Sequence, residues 1–156
     1  MNRLPGRIAG IDYGTVRIGI AISDVNQSIA SPHETYTRRG EEADRKRFQK
    51  LSQEEQVTRF VVGLPVHLHG GESAKSVEAR AFGRWLGEVT GVDVAYFDER
   101  FTTHEAQLFL AGSQLSKKKR KARLDKLAAQ IMLTAYLEKL HTNPQGADEP
   151  LRGLDE

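Results

Sequence analysis

Apolar and polar positions divide the chain into short segments with different periods. Two Ile-rich runs, Arg7–Asp12 and Arg17–Ser23, read as strands joined by a tight turn at Tyr13–Val16. A third strand is expected within Ser28–Thr37, where Pro32 has no N–H to donate and confines it to a sheet edge. Glu41–Val57 is polar, with a weak apolar stripe at Phe48 and Leu51, and predicts a helix. Arg59–Gly63, "RFVVG", reads as a short buried strand, and the following "LPVHLHGGES" as a loop. From Ser73 to Val89 the apolar residues fall at Val77, Ala81, Trp85, Leu86 and Val89, which is helical spacing. A strand at Val92–Phe97 leads into "DERFTTHEAQLFLAG", where "TTHE" has the form of a capping box and Gly112 that of a helix stop. The last helix is expected over Ala122–Leu140, with Leu124, Leu127, Ala128, Ile131 and Ala135 on one face. Two prolines and several acids after Thr142 predict a disordered tail at 141–156, behind a single domain at 1–140. Strands first, then alternating helices and strands, predict an α/β fold with a mixed sheet.

Composition narrows the chemistry. A chain of 156 residues with 38% hydrophobic and 28% charged residues suits one soluble domain. It has no apolar stretch of bilayer-spanning length and no apolar run like that of a secretory signal, so a cytoplasmic protein without a membrane partner is expected. With no cysteine, thiolate nucleophiles and thiolate zinc sites are excluded, and any metal must be held by oxygen or imidazole. The net charge of +2 hides an uneven distribution, because six of the seven residues in Lys117–Arg123, "KKKRKAR", are basic. Without those six the chain holds 17 basic against 21 acidic residues. One basic block on a mildly acidic body predicts a localised contact with a polyanion.

Four acids stand out by position. Asp12 ends the first strand, and Asp98 and Glu99 end the strand at Val92–Phe97. Asp125 falls in the first turns of the last helix, about 100° round from Leu124 and so at the margin of the apolar face. Ligands in α/β folds gather outside the carboxyl ends of strands. Carboxylates brought together there would repel one another unless a cation neutralised them, and hard oxygen donors suit Mg²⁺ or Mn²⁺. Singly, each has a bland reading. Asp12 before Tyr13-Gly14 can be a turn residue, Asp125 a helix-dipole partner, and Glu99 half of an ion pair with Arg100. Only their combination argues for a site.

Four blocks carry a family resemblance: "IAGIDYGTVRIGIAISD", "FVVGLPVHLHGGESAKSVEARAFGRWL", "FDERFTTHEA" and "KKKRKARLDKLAAQIMLTAYLE". In this order and spacing they resemble the YqgF-type (RuvX) proteins of the ribonuclease H-like superfamily, described as Holliday junction resolvases and pre-16S rRNA nucleases. The resemblance covers Arg7 to Glu138. It implies a ribonuclease H-like fold, a five-stranded mixed sheet flanked by helices. It also implies Asp12, Glu99 and Asp125 as a catalytic, metal-binding triad acting on phosphodiester bonds with Mg²⁺ or Mn²⁺. Many ribonuclease H relatives place their second acid on the fourth strand, where this chain has the neutral "VVGLP"; that adds weight to Glu99 and leaves Asp98 as its rival.

Around these acids, Thr15, Arg17, Arg100 and Thr102, with Lys117, Lys118, Lys119, Arg120 and Lys121, are the expected contacts to nucleic acid. Each has an ordinary alternative. Gly14 and Thr15 suit a turn, Thr102 a helix cap, and the basic block a solvated run. The loop "GLPVHLHGG" can offer N–H groups to a phosphate or serve as a connection, and His67 and His69 are read as solvent-exposed. "DYGT" also resembles the phosphate motif of actin- and hexokinase-type ATPases, but those close two such domains around a nucleotide. The expected partner is structured RNA or branched DNA, and pre-16S RNA processing is the favoured activity. Branched-DNA resolution and a non-catalytic binding module are the alternatives, with monomer or homodimer both open.

Overall fold

The computed structural model describes residues 6–65, 73–98 and 117–142, with the side chains of the last segment described from residue 126 onward. The glycine-rich loop with His67 and His69, the segment holding Glu99, Arg100 and Thr102 with its expected capping box, and the expected tail after Thr142 lie outside the described residues.

The chain begins as an antiparallel meander. β1 (Arg7–Asp12), β2 (Arg17–Ser23) and β3 (Ala30–Thr37) pair in sequence. Helix α1 (Glu41–Glu54) then carries the chain back, so that β4 (Val57–Leu64) lies parallel to β1. Helix α2 (Ala74–Thr90) does the same for β5 (Asp93–Asp98) beside β4. The result is a five-stranded mixed sheet in the order β3-β2-β1-β4-β5, as expected, with β1 at its centre and the Pro32-containing β3 at an edge. A last helix, α3 (Lys117–Thr142), closes the fold.

The sheet is covered on both faces, which is why β1 and β4 are almost continuously apolar. One face packs Ala9, Ile11, Phe60 and Val62 against Phe48 and Leu51 of α1 and Phe82 and Leu86 of α2. The other packs Ile8, Val61, Ala95 and Phe97 against Ala129, Met132, Leu133 and Tyr136 of α3. Among the described residues no helix is long and apolar enough to cross a membrane.

Several expected boundaries and faces need correction. The first helix stops at Glu54, and Val57, expected as its end, begins β4 instead. On α2 the stripe through Val77 and Ala81 faces outward, and Val77 is 51% exposed. The buried line runs through Ser76, Ala79, Arg80, Phe82, Gly83 and Leu86. Small residues win that face because the helix approaches Tyr96 closely: a Cβ on Gly83 would sit 2.6 Å from the Tyr96 hydroxyl. The last helix is longer than expected at both ends: it takes in the whole basic block, and it includes His141 and Thr142, the first of which was expected to open the tail. Among the described side chains its buried face is Ala128, Ala129, Met132, Leu133, Tyr136, Leu137 and Leu140; of the expected stripe, Ala128 is fully buried and Leu124 lies outside the described side chains. Leu127, Ile131 and Ala135 flank that face, half-buried.

Candidate active site

Asp12 is the last residue of β1 and pairs with Gly19 of β2. Along β1, Ala9 and Ile11 face α1 and α2, so Ile8, Gly10 and Asp12 face α3. Half-buried, Asp12 stands at the mouth of the gap between sheet and helix. Arg17, two residues beyond Gly19 on β2, shares that face, and Thr15 is exposed in the connecting turn.

Gly10 sets the depth of that gap. A Cβ there would lie 2.9 Å from Leu133 Cβ and 3.3 Å from the Ala129 carbonyl oxygen, so α3 rests directly on the β1 backbone. The far end of α3 is tied to the start of β1. The His141 ring Nε2 hydrogen-bonds the Gln27 carbonyl at 2.7 Å, and the Gln27 amide donates to the Gly6 carbonyl at 2.9 Å. The helix therefore runs antiparallel to β1. Two residues along the strand, from Gly10 to Asp12, cover about 7 Å. Four residues back along the helix, from Ala129 to Asp125, cover about 6 Å. The backbone at position 125 thus comes level with Asp12, one turn before Ala129 on α3. The side chain of Asp125, expected at the margin of the apolar face, lies outside the described residues.

Asp98 behaves differently. It pairs with Leu64 at the end of β5 and alternates with Val94 and Tyr96, which pack on the α1 and α2 side. It falls on the opposite face of the sheet from Asp12, two strands away. Among the described residues no group of three His, Asp or Glu forms a metal-binding cluster, since of the three expected acids only Asp12 has a described side chain. Lys117, Lys118, Lys119, Arg120 and Lys121 form the first turns of α3, on the side of the fold where Asp12 lies; their side chains are outside the described residues.

Gly14 has a plain structural role in the turn beyond Asp12, because a Cβ there would meet the Arg17 carbonyl oxygen at 2.3 Å. Beside this turn lies a polar cluster that no sequence motif announced. Asp44 in the first turn of α1 has a fully buried side chain and accepts from the Tyr36 hydroxyl (2.7 Å), the Arg39 N–H (3.0 Å) and Arg38 Nε (3.2 Å). Arg38 Nη1 in turn donates to the Tyr13 hydroxyl at 2.9 Å. Burial alone would push the Asp44 carboxyl up, but the Arg39 N–H, the Tyr36 hydroxyl and the Arg38 guanidinium outweigh it and hold it below its ordinary range. Burial, then hydrogen bonding to Asp44, pushes Tyr36 up to about 12. These partners are too far apart in sequence for spacing to reveal them.

The profile of the RuvX family, described as Holliday junction resolvase, matches residues 6–139. The chain belongs to the RuvX family. A relative from Rhodopirellula baltica named "Putative pre-16S rRNA nuclease" is 47% identical over 133 residues, covering 85% of this chain and 77% of that protein. One of the same name from Rhizobium meliloti is 36% identical over 148 residues, covering 94% of this chain and 90% of the relative. Among solved structures, T. thermophilus RuvC in complex with Holliday junction substrate aligns with a TM-score of 0.56 at 12% identity, covering 88% of this chain and 96% of that one. The fowlpox virus Holliday junction resolvase aligns with a TM-score of 0.51 at 11% identity, over 86% of this chain and 99% of that one. At such identities the likeness shows the fold, and it is the ribonuclease H-like fold that the sequence resemblance implied. The RuvX match includes Asp12, Glu99 and Asp125 as well as the basic block.

Proposed function

We propose that this RuvX chain is a nuclease that hydrolyses phosphodiester bonds in precursor 16S ribosomal RNA, with Asp12, Glu99 and Asp125 as its catalytic acids. The observation that carries the reading is the place of Asp12, half-buried at the end of the central strand on the face that α3 covers, where Gly10 lets the helix rest on β1. A second carboxylate brought up to Asp12 there would repel it unless a cation neutralised the pair. For the second acid, Asp98 is set aside because it belongs to the other face of the sheet; Glu99 follows it in sequence and takes the role.

The donor chemistry fits a divalent cation. Asp12 is a half-buried oxygen donor, the chain has no thiolate, and carboxylates favour Mg²⁺ or Mn²⁺. Such a cation, when bound, would neutralise the developing negative charge and lower the pKa of an attacking water. The protein's own part is to hold the acids, to exclude bulk water with the α3 wall, and to guide the phosphate backbone. Lys117, Lys118, Lys119, Arg120 and Lys121 are proposed to track that backbone, with Arg17 and Thr15 beside Asp12 and Arg100 and Thr102 after Glu99. Phosphate contacts of this kind set register without reading bases.

Branched DNA is the second reading, favoured by the description of the family. The two are separated by giving the protein a precursor 16S RNA 5′ end and a four-way DNA junction in Mn²⁺ and comparing cleavage rates. Faster cleavage of the RNA supports the proposal; cleavage of the junction alone transfers the same site to DNA. Cleavage of neither with unimpaired binding would leave a nucleic-acid-binding module.

A further inference from the structure

Arg38 reaches both ends of the turn that follows Asp12. Its guanidinium Nη1 donates to the Tyr13 hydroxyl at 2.9 Å, and its backbone N–H donates to the Val16 carbonyl at 2.9 Å. The same guanidinium lies 5.4 Å from the Tyr13 ring centroid and 5.6 Å from that of Phe82, and the two rings are 5.0 Å apart. Its Nε is anchored at 3.2 Å on Asp44, whose buried carboxylate is fixed by Tyr36 and the Arg39 N–H. A chain of contacts thus runs from the base of α1, through Arg38, to the residue bonded to Asp12.

Such a network is a poor way to gain stability. Burying a carboxylate and ordering an arginine that is only 27% exposed costs desolvation and side-chain entropy, and apolar residues of like volume often do as well. Its geometric effect is specific. Tyr13 faces the α1 and α2 side while Asp12 faces α3, so a phenol held by Arg38 fixes the rotation of the backbone at the last residue of β1. We infer that Arg38, oriented by Asp44 and acting through the Tyr13 hydroxyl, is a positioning residue for the Asp12 carboxylate. The inference rests on the proposed role of Asp12 in holding metal.

The test uses the full chain with Tyr13→Phe, which keeps the ring and removes only the acceptor, and with Arg38→Lys, which keeps the charge but loses the fork. Lys50→Gln, on the exposed side of α1, is the control. Mn²⁺ affinity is measured without nucleic acid, and cleavage rate and half-saturating RNA concentration with it. Removing an outer-shell partner weakens metal affinity or activity by about ten- to a hundredfold. A shift in that range is expected for both variants in Mn²⁺ affinity and in rate. Half-saturating RNA and the control should not change.

Wild-type Mn²⁺ affinity in both variants would overturn the inference while leaving the proposed nuclease intact. So would weakened RNA saturation with unchanged Mn²⁺ affinity, which would make Arg38 a substrate contact. Weakened Mn²⁺ binding in a protein that cleaves neither nucleic acid would uphold the positioning role and reject the nuclease reading. A wild type that binds no Mn²⁺ would overturn both.

Discussion

Gly10 and Asp12 are separated by one residue and have opposite tolerances. A methyl at position 10 would sit 2.9 Å from Leu133 Cβ, and neither the helix nor the central strand can yield freely. Gly10→Ala should therefore cost about 1–3 kcal/mol of overpacking strain, read as a lower urea midpoint. Cleavage should fall as well, because the displaced helix carries Asp125. An unchanged midpoint would mean that α3 packs less tightly on β1 than described. At Asp12 the expectation is reversed. Asp12→Asn should leave stability equal or slightly higher, since it would remove one charge from the proposed acidic cluster. Thermal unfolding checks this, and a marked loss of stability would show that Asp12 is a structural residue.

The elements around the turn make the next two expectations. Asp44 couples α1 to β3, and its folded carboxyl titrates below its ordinary value of 3.8. As pH falls, the unfolded chain takes up this proton first. The stabilisation is complete above 3.8 and is lost as pH drops below it, through the folded pKa. Asp44→Asn should flatten that acid limb in a series of urea midpoints against pH, at a cost of about 3 kcal/mol near neutrality. An unaltered acid limb would remove Asp44 from the account. The basic block belongs to the first turns of α3, where positive charge opposes the helix dipole. Replacing Lys118, Lys119 and Arg120 with Ala should leave the fold intact. Each lost phosphate contact should reduce the slope of log binding against log salt by about 0.9 for duplex and about 0.7 for single strands. An unchanged slope would make the block a solvated run.

These two elements also show why only part of the molecule could be read from its sequence. Strand positions came through because Ile and Val runs with turn signals are local. The faces of α2 and α3 came through only in part, at Leu86 and Ala128. Large apolar side chains such as Val77 marked a stripe, whereas close approach to Tyr96 and to β1 selected Gly83, Ala79 and Ala129. Asp12 was visible because a carboxylate ended an apolar run. Arg38 and Asp44 were not, since their bonds to Tyr13 and Tyr36 span 25 and 8 residues and look in sequence like ordinary surface charges.

At the scale of the whole molecule, a mixed sheet with α1 and α2 on one face and α3 on the other leaves one place where the central strand, the turn and a charged helix meet. That meeting point is where the account puts metal-dependent cleavage. The most direct measurement is single-turnover cleavage of precursor 16S RNA by wild type and Asp12→Asn, each in Mn²⁺ and in excess chelator. Wild type should cleave in Mn²⁺ and stop in chelator. Asp12→Asn should lose more than the about ten- to hundredfold that removing an outer-shell partner costs, while still binding the RNA. Cleavage by Asp12→Asn at the wild-type rate, or full activity in chelator, would contradict a metal-bound acid at the end of β1.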